Sequence, residues 1–134
     1  MFASKDLRGA VFNAADLEAA ELYKGNLEGG YFEGADLHNT IAVQTNLESS
    51  YLAVANLSGA NLTKANLEGA YLQGACFEGA VLEGTCLNGA FLEGASGLTV
   101  EQLEQDVGDD HTALPVGLEP PAACMRPTRE LKSK

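Results

Sequence analysis

The 134-residue chain has the length of a single domain and carries 19 acidic against 8 basic residues, a formal net charge of −11 at pH 7. This charge argues against direct nucleic-acid binding, because the phosphate backbone has the same sign. No segment has the roughly 18 apolar residues that a membrane span needs, and no secretory signal pattern opens the chain, so we expect a cytoplasmic protein without membrane insertion.

The first 95 residues repeat with a period of five. A large apolar residue recurs at nearly every fifth position from Leu7 to Leu92, and a small residue usually stands two positions before it, as in the segment 65–69, Ala-Asn-Leu-Glu-Gly. A period of five fits neither the 3.6-residue period of a helix face nor the two-residue alternation of a strand. Self-similarity at a fixed period is typical of a solenoid, whose stacked repeats bury their apolar sides against one another.

Segments 15–19, 35–39, 55–59 and 65–69 all read Ala-(Asp/Asn)-Leu-x-x, and on this pattern the chain resembles the pentapeptide-repeat family. The resemblance implies an all-β solenoid: a right-handed quadrilateral parallel β-helix with four units per coil and about four to five coils over residues 1–95. It also implies that the central residue of each unit and the small residue two positions earlier point inward. Residues twenty apart would then lie directly above one another.

The weakest unit of the repeat is the segment 40–44, where Ala42 takes the place of the large central residue. Two outcomes follow from this exchange. Either the corner at Ala42 is underfilled, or the backbone bulges locally to close the space.

The period stops after residue 95. Thr99 followed by Gln102 at the third helical position forms a capping box, which predicts a short α-helix. We expect residues 96–119 to form a helical cap and a return segment, because the terminal repeats of a solenoid need covering. Residues 120–134 are polar and are predicted to be a flexible tail.

The coil places four aromatic residues in one outward column, here called the aromatic ladder: Tyr31, Tyr51, Tyr71 and Phe91, with Val11 below them. A contiguous exposed apolar patch commonly marks a contact site. Three interpretations stay open: the C-terminal tail covers part of the ladder, the ladder binds a protein partner or a second copy in a homodimer, or it is simply exposed.

A second outward column, the glutamate column, contains Glu28, Glu48 and Glu68 and predicts an electrostatic face for a partner. Some members of the family resemble duplex DNA in shape and charge and bind type II topoisomerases, which gives an alternative function, gyrase protection. Residues 1–95 hold 12 acidic and 4 basic residues. That is a little over half the charge of the roughly 13 phosphates on a DNA duplex of equal length. Because exposed carboxylates at strand spacing are mostly solvated, we predict no metal site.

Nothing in the sequence predicts an enzyme or a cofactor. The two histidines lie far apart, and the glycines fall at the fifth repeat position rather than in a phosphate-binding loop. The first coil has no evident cap over Phe2 and Leu7, so end-to-end dimerisation through it is a further hypothesis. We therefore predict a non-catalytic scaffold that presents rigid faces to a protein partner of unknown identity, with the topoisomerase-binding DNA mimic as the alternative.

Overall fold

A computed structural model of the chain describes residues 2–99, which wind into stacked coils with a repeat of twenty residues. Adjacent coils pair through single-residue parallel bridges between positions i and i+20, from Asp6–Asn26 to Cys76–Ser96. Within residues 2–99 each bridge joins single residues, and none of them extends into a longer strand. The same range contains no α-helix. In the same range no helix is long and apolar enough to span a bilayer.

A two-residue turn follows every bridge position, and four such turns complete each twenty-residue coil. In the turn over residues 62–65 the N–H of Ala65 donates to the carbonyl oxygen of Leu62 at 2.9 Å. Lys64, the third residue of this turn, has φ +59°, whereas Thr63 before it does not have a positive φ. Positive φ at the third position alone is the pattern of a type II turn. The chain therefore has four sides separated by four corners.

Backbone hydrogen bonds hold each unit to the coils on both sides. In the segment 27–31 the N–H groups of the first and third residues donate to the next coil at 2.7 and 2.9 Å. The fourth N–H closes the turn at 2.9 Å, and the fifth donates to the preceding coil at 2.9 Å. Buried backbone donors need partners, and this arrangement supplies four of the five within the backbone.

Where Asp or Asn precedes the unit, the second N–H has that side chain as its acceptor, which explains the Asp or Asn of the repeat. The N–H of Glu28 donates to Oδ1 of Asn26 at 3.2 Å, an Asx turn of the kind that these short side chains favour. The same bond recurs around the rod, from Glu18 to Asp16, His38 to Asp36, Glu48 to Asn46, Ser58 to Asn56, Thr63 to Asn61 and Glu68 to Asn66.

The core lies inside the four sides and contains the central and small residues of each unit, as predicted. The central residues from Leu22 to Leu92 are at most 3% exposed, and the small residues from Ala20 to Ala90 at most 5%. At the N-terminal end of the stack, Phe2, Leu7 and Phe12 are only partly buried. The hypothesis of an open first coil agrees with this burial, but association through it stays a prediction.

The backbone passes through the weak unit at Ala42 without interruption. The N–H of Ala42 donates to Asn61 at 2.8 Å, and its neighbour Ile41 forms bridges to both adjacent coils. The predicted bulge is therefore wrong, and Ala42 stands buried in register where a large residue would stand. Beside it, the hydroxyl of Thr40 is buried and has no hydrogen-bond partner within the described part of the chain.

Residue 99 is the last that the structure describes. The predicted cap and return segment over 96–119 lie almost wholly outside the described residues, and the predicted tail over 120–134 lies entirely outside them. Leu98 packs against the core at this end, partly buried.

Two buried threonines offer a test of the packing around Ala42. Thr40→Val should raise the free energy of unfolding by about 1 kcal/mol, because it removes a buried hydroxyl without a partner. Thr45→Val should lower it by about 1 kcal/mol, because the Thr45 hydroxyl donates to the carbonyl oxygen of Leu22 at 2.6 Å. Urea unfolding followed by circular dichroism measures both; equal losses in the two variants would contradict this account.

The turn at Val54 stores conformational strain. Val54 is a β-branched residue at φ +51° and is 61% exposed, a conformation that costs such a residue about 1–2 kcal/mol. Val54→Gly should therefore raise the free energy of unfolding by about 1 kcal/mol.

The matched control for this prediction is Gly34→Val at φ +69°, where an added Cβ would meet no atom within 4 Å. It should lower the free energy of unfolding by about 1–2 kcal/mol through strain alone. Thermal unfolding of both variants would show shifts of opposite sign, and a loss of stability in Val54→Gly would refute the strain argument.

Candidate interaction surface

The aromatic ladder forms as predicted on one side of the coil. Ring centroids are 4.9 Å apart between Tyr31 and Tyr51 and between Tyr51 and Tyr71, and 5.0 Å apart between Tyr71 and Phe91. The rings are parallel within 5°. Each stacked pair contributes about 0.5–1.5 kcal/mol beyond its buried area, so the rings hold one another in place.

The lower half of the ladder is open to solvent. Tyr31 is 41% and Tyr51 40% exposed, whereas Tyr71 and Phe91 are half-buried. Val11, directly below Tyr31, is 70% exposed. Inner faces of the rings contact each other, so this surface presents ring edges and hydroxyl groups rather than ring faces. The column is contiguous over several coils, and contiguous exposed apolar patches of this kind commonly mark contact sites.

The glutamate column lies on a corner beside the ladder rather than on a flat side of its own. Each of Glu28, Glu48 and Glu68 is the first residue of a turn, three positions before a ladder ring, and Glu48 is the least exposed of the three. Glu33 and Glu93 stand at the corner on the ladder's other edge. These five carboxylates form an acidic rim around the rings.

Basic residues near the ladder are few in the described part of the chain. Arg8 stands below Glu28 on the same corner, but its guanidinium forms two hydrogen bonds to Asp6, at 2.8 and 2.9 Å. The Arg8 side chain thereby lowers the pKa of the Asp6 carboxyl. The ion pairs found within residues 2–99, Arg8–Asp6 and His38–Glu18, leave the acidic rim unneutralised.

The side across the coil from the ladder, here called the opposite face, has mixed character. Its bridge column contains Glu21, Ile41, Asn61 and Val81, of which Ile41 and Val81 are each 44% exposed. The corner that follows it carries Lys24, Lys64 and Glu83, and Lys5 lies beside this corner in the first coil. Lys24 Nζ lies 5.2 Å from the ring centroid of Tyr23, within range of a cation–π contact.

A third set of groups, not singled out by the sequence pattern, is an acidic cluster of Asp16, Glu18 and Asp36. Their carboxylate oxygens lie within 4.8 Å of one another, and His38 Nδ1 is 3.7 Å from Glu18 Oε2. The signal was present in the spacing, because residues two and twenty apart are neighbours in this coil. The cluster is mostly exposed and its carboxylates are solvated.

Cys76 and Cys86 lie on opposite sides of the coil, as their ten-residue spacing predicted, and form no disulfide. The Cys76 Sγ is 3.1 Å from the hydroxyl of Ser58. This contact, followed by the backbone N–H of Glu78, lowers the pKa of the Cys76 thiol.

Comparison with known proteins agrees with the repeat pattern. The family model described as pentapeptide repeats matches in 8 copies, over residues 6–39, 31–69, 43–79 and 75–97. The comparison with curated proteins found no match.

Solved structures share the coil. A pentapeptide repeat protein from the thylakoid lumen of Arabidopsis thaliana is 26% identical, with a TM-score of 0.62 over 76% of this chain and 74% of that one. HetL, a pentapeptide repeat protein involved in heterocyst differentiation regulation from Nostoc sp. PCC 7120, is 28% identical with a TM-score of 0.51; the match covers 84% of this chain but only 59% of HetL. QnrB1, a plasmid-mediated fluoroquinolone resistance protein, is 17% identical with a TM-score of 0.50 over 82% of this chain and 61% of its own.

The lowered pKa of Cys76 predicts its reactivity with thiol reagents. Because the thiolate is the nucleophile, alkylation of Cys76 should reach its half-maximal rate at a lower pH than an ordinary thiol needs. Ser58→Ala should move that midpoint to higher pH, since it removes the largest cause of the shift. Iodoacetamide labelling between pH 6 and 10, with Cys86 and Cys124 replaced by serine, measures the midpoint; an unchanged midpoint in Ser58→Ala would contradict the assignment.

Proposed function

Because the chain belongs to the pentapeptide-repeat family, we propose that it is a non-catalytic scaffold that binds a protein partner through the aromatic ladder. The observation that carries this proposal is the stack of parallel rings with its lower half exposed. Tyr31 and Tyr51 stand side by side in the open, held by contacts within 5 Å. Aromatic residues, above all tyrosine, are enriched in protein interfaces.

Rigidity supports a binding role over a merely structural one. The ladder rings are fixed by their neighbours above and below, and the backbone beneath them is hydrogen-bonded to both adjacent coils. A surface that is already ordered loses little conformational freedom when a partner binds. The scaffold therefore contributes affinity mainly by holding side chains in register.

The site chemistry favours binding over catalysis. His38, the histidine within the described residues, lies on an exposed corner beside Glu18, and the lowered pKa of the Cys76 thiol comes chiefly from the Ser58 hydroxyl and the backbone N–H of Glu78 rather than from a base. Catalytic groups generally combine a nucleophile with a base that a third group orients. The proposed role accordingly needs no cofactor, and we expect a protein rather than nucleic acid as the partner.

The alternative function is the DNA mimic that binds a type II topoisomerase. The acidic rim around the ladder has the negative charge that a DNA mimic needs. The similarity to QnrB1 concerns the fold. A mimic would present its carboxylates as the contact surface, with the rings as spacers. The two functions therefore differ in which side chains carry the affinity.

The test is a binding assay with immobilised wild-type protein and three variants, at low and high salt. Tyr51→Ser should reduce capture of the partner at least tenfold, because it opens a gap in the middle of the ladder. Cys86→Ser is the control: Cys86 lies on the side with Asn26, Asn46 and Asn66, which belongs to neither the ladder nor the opposite face. Binding through the ladder rings should depend on salt far less steeply than binding through carboxylates alone, since apolar contacts are not screened.

Charge reversal at Glu28, Glu48 and Glu68 separates the alternatives. Capture that survives Tyr51→Ser but fails on this reversal, and that weakens steeply with salt, would support the mimic and refute the ladder. Equal losses in Tyr51→Ser and Cys86→Ser would also refute it, because they would indicate a general loss of structure.

A further inference from the structure

We propose that the partner of the aromatic ladder is a second copy of this chain, which packs against it with its opposite face. In this arrangement the two copies lie side by side with parallel axes, and neither copy is shifted along its axis relative to the other. The inference rests on the proposed function, since it takes the ladder to be a binding surface, and it names the occupant.

The four-sided coil brings suitable surfaces together by a simple sideways translation. The ladder and the opposite face are parallel sides of one coil, so the ladder of one copy meets the opposite face of the next. The corner with the glutamate column and the corner with Lys24 and Lys64 bound the same side, the one with Asn26, Asn46 and Asn66 at its centre. After the translation these two corners lie next to each other, one from each copy.

Charge complementarity selects the register. The chain rises about 4.8 Å per coil, or roughly 0.24 Å per residue, so residues four or five apart in number lie at nearly the same height. With no axial shift, Glu28 of one copy faces Lys24 of its neighbour, and Glu68 faces Lys64. At the other corner Glu33 faces His38. The other acidic residues of these corners meet neutral ones, because Glu83 faces Asn88, Glu18 faces Asn13 and Glu78 faces Gln73. In the first coil Arg8 comes level with Lys5 of the neighbour, but Arg8 is paired with Asp6 of its own chain.

Other registers lose this match. Raising the neighbour by one coil leaves a single pair, Lys24 with Glu48, because Lys64 then faces Asn88. Lowering it by one coil pairs Lys64 with Glu48 but sets Lys24 against Arg8. Lys24 and Lys64 both have a carboxylate partner only when the shift is zero.

The apolar side chains fit the same register. Ladder residues are ten positions from those of the opposite face, which is half a coil, or about 2.4 Å in height. Tyr51 therefore points between Ile41 and Asn61 of the neighbour, and Phe91 lies just above Val81. Ile41 and Val81 are both 44% exposed and would be covered by this contact. Two ladders packed on each other would instead bring their acidic rims together, which like-charge repulsion opposes.

The association is heterologous and open, because every copy in a row offers an unused ladder at one end and an unused opposite face at the other. One side of so short a rod is a small interface, so the contact is expected to be weak and concentration-dependent. The net charge of −11 also opposes the growth of long rows.

The test is sedimentation velocity of the full chain over a wide concentration range at moderate salt. The wild type should show a mass that increases with concentration. Glu28→Lys with Glu68→Lys, and separately Lys24→Glu with Lys64→Glu, should each weaken self-association about tenfold, because two opposite-charge contacts become like-charge contacts. An equimolar mixture of the two double variants should restore association, because the reversed corners complement each other.

One single variant serves as the control. Glu48 faces Gln44 in the proposed register, so Glu48→Lys should leave association intact, although it changes the same type of residue on the same corner. Because Glu28→Lys with Glu68→Lys makes the protein less negative, weaker association in that variant cannot come from overall repulsion.

The outcomes separate this inference from the proposed function. A wild type that stays monomeric at every concentration would overturn the inference but not the proposed function. The capture assay with the Tyr51→Ser variant would then test whether the ladder binds another protein. Association that survives both charge reversals but fails on Tyr51→Ser would overturn this packing and support the ladder. Restoration by mixing would support the packing, because a misfolded variant cannot be rescued by its partner.

Discussion

The structure depends on one constraint: the backbone N–H groups that join the coils and close the turns must find acceptors. The inter-coil ladder and the turn supply four of the five acceptors of a unit, and where Asp or Asn precedes the unit its Oδ1 supplies the fifth, as between Glu28 and Asn26 at 3.2 Å. A buried unpaired donor costs about 1–3 kcal/mol, so a unit that failed this condition repeatedly could not stack. The repeat pattern therefore reflects hydrogen bonding as much as hydrophobic burial. The inward Leu fills the core, and the outward Asn accepts a hydrogen bond from the backbone of the next turn.

The same constraint arranges the surface. Because coils pair at a fixed spacing of twenty residues, any side chain outside the core meets its equivalents directly above and below. In the ladder units this outward position holds an aromatic ring, which offers no acceptor to the turn. The rings stack at 4.9 Å, and the N–H of Glu33 donates instead to Oδ1 of Asn13 in the coil below at 2.9 Å. The result is an ordered apolar surface with carboxylates on both edges.

Tolerance of irregular units follows from how little the backbone depends on any one side chain. Ala42 replaces a large core residue, yet its N–H still reaches Asn61 at 2.8 Å. Val54 adopts φ +51° because the turn demands it. In both places the coils above and below impose the local backbone conformation. The chain loses packing at Ala42 and gains strain at Val54, but its backbone does not leave the coil.

The sequence alone determined the period, the inward and outward positions, and the alignment of Tyr31, Tyr51, Tyr71 and Phe91, because a strict five-residue repeat leaves little freedom to the fold. Only the tertiary structure decided where charges stand relative to those rings. The glutamate column lies on a corner beside the ladder, and Asp16, Glu18 and Asp36 converge within 4.8 Å. It also decided that the chain keeps its register at Ala42. The physical reason is that side-chain geometry at a corner depends on the turn and on neighbours a full coil away, and a linear pattern gives the order of residues without the angles between sides.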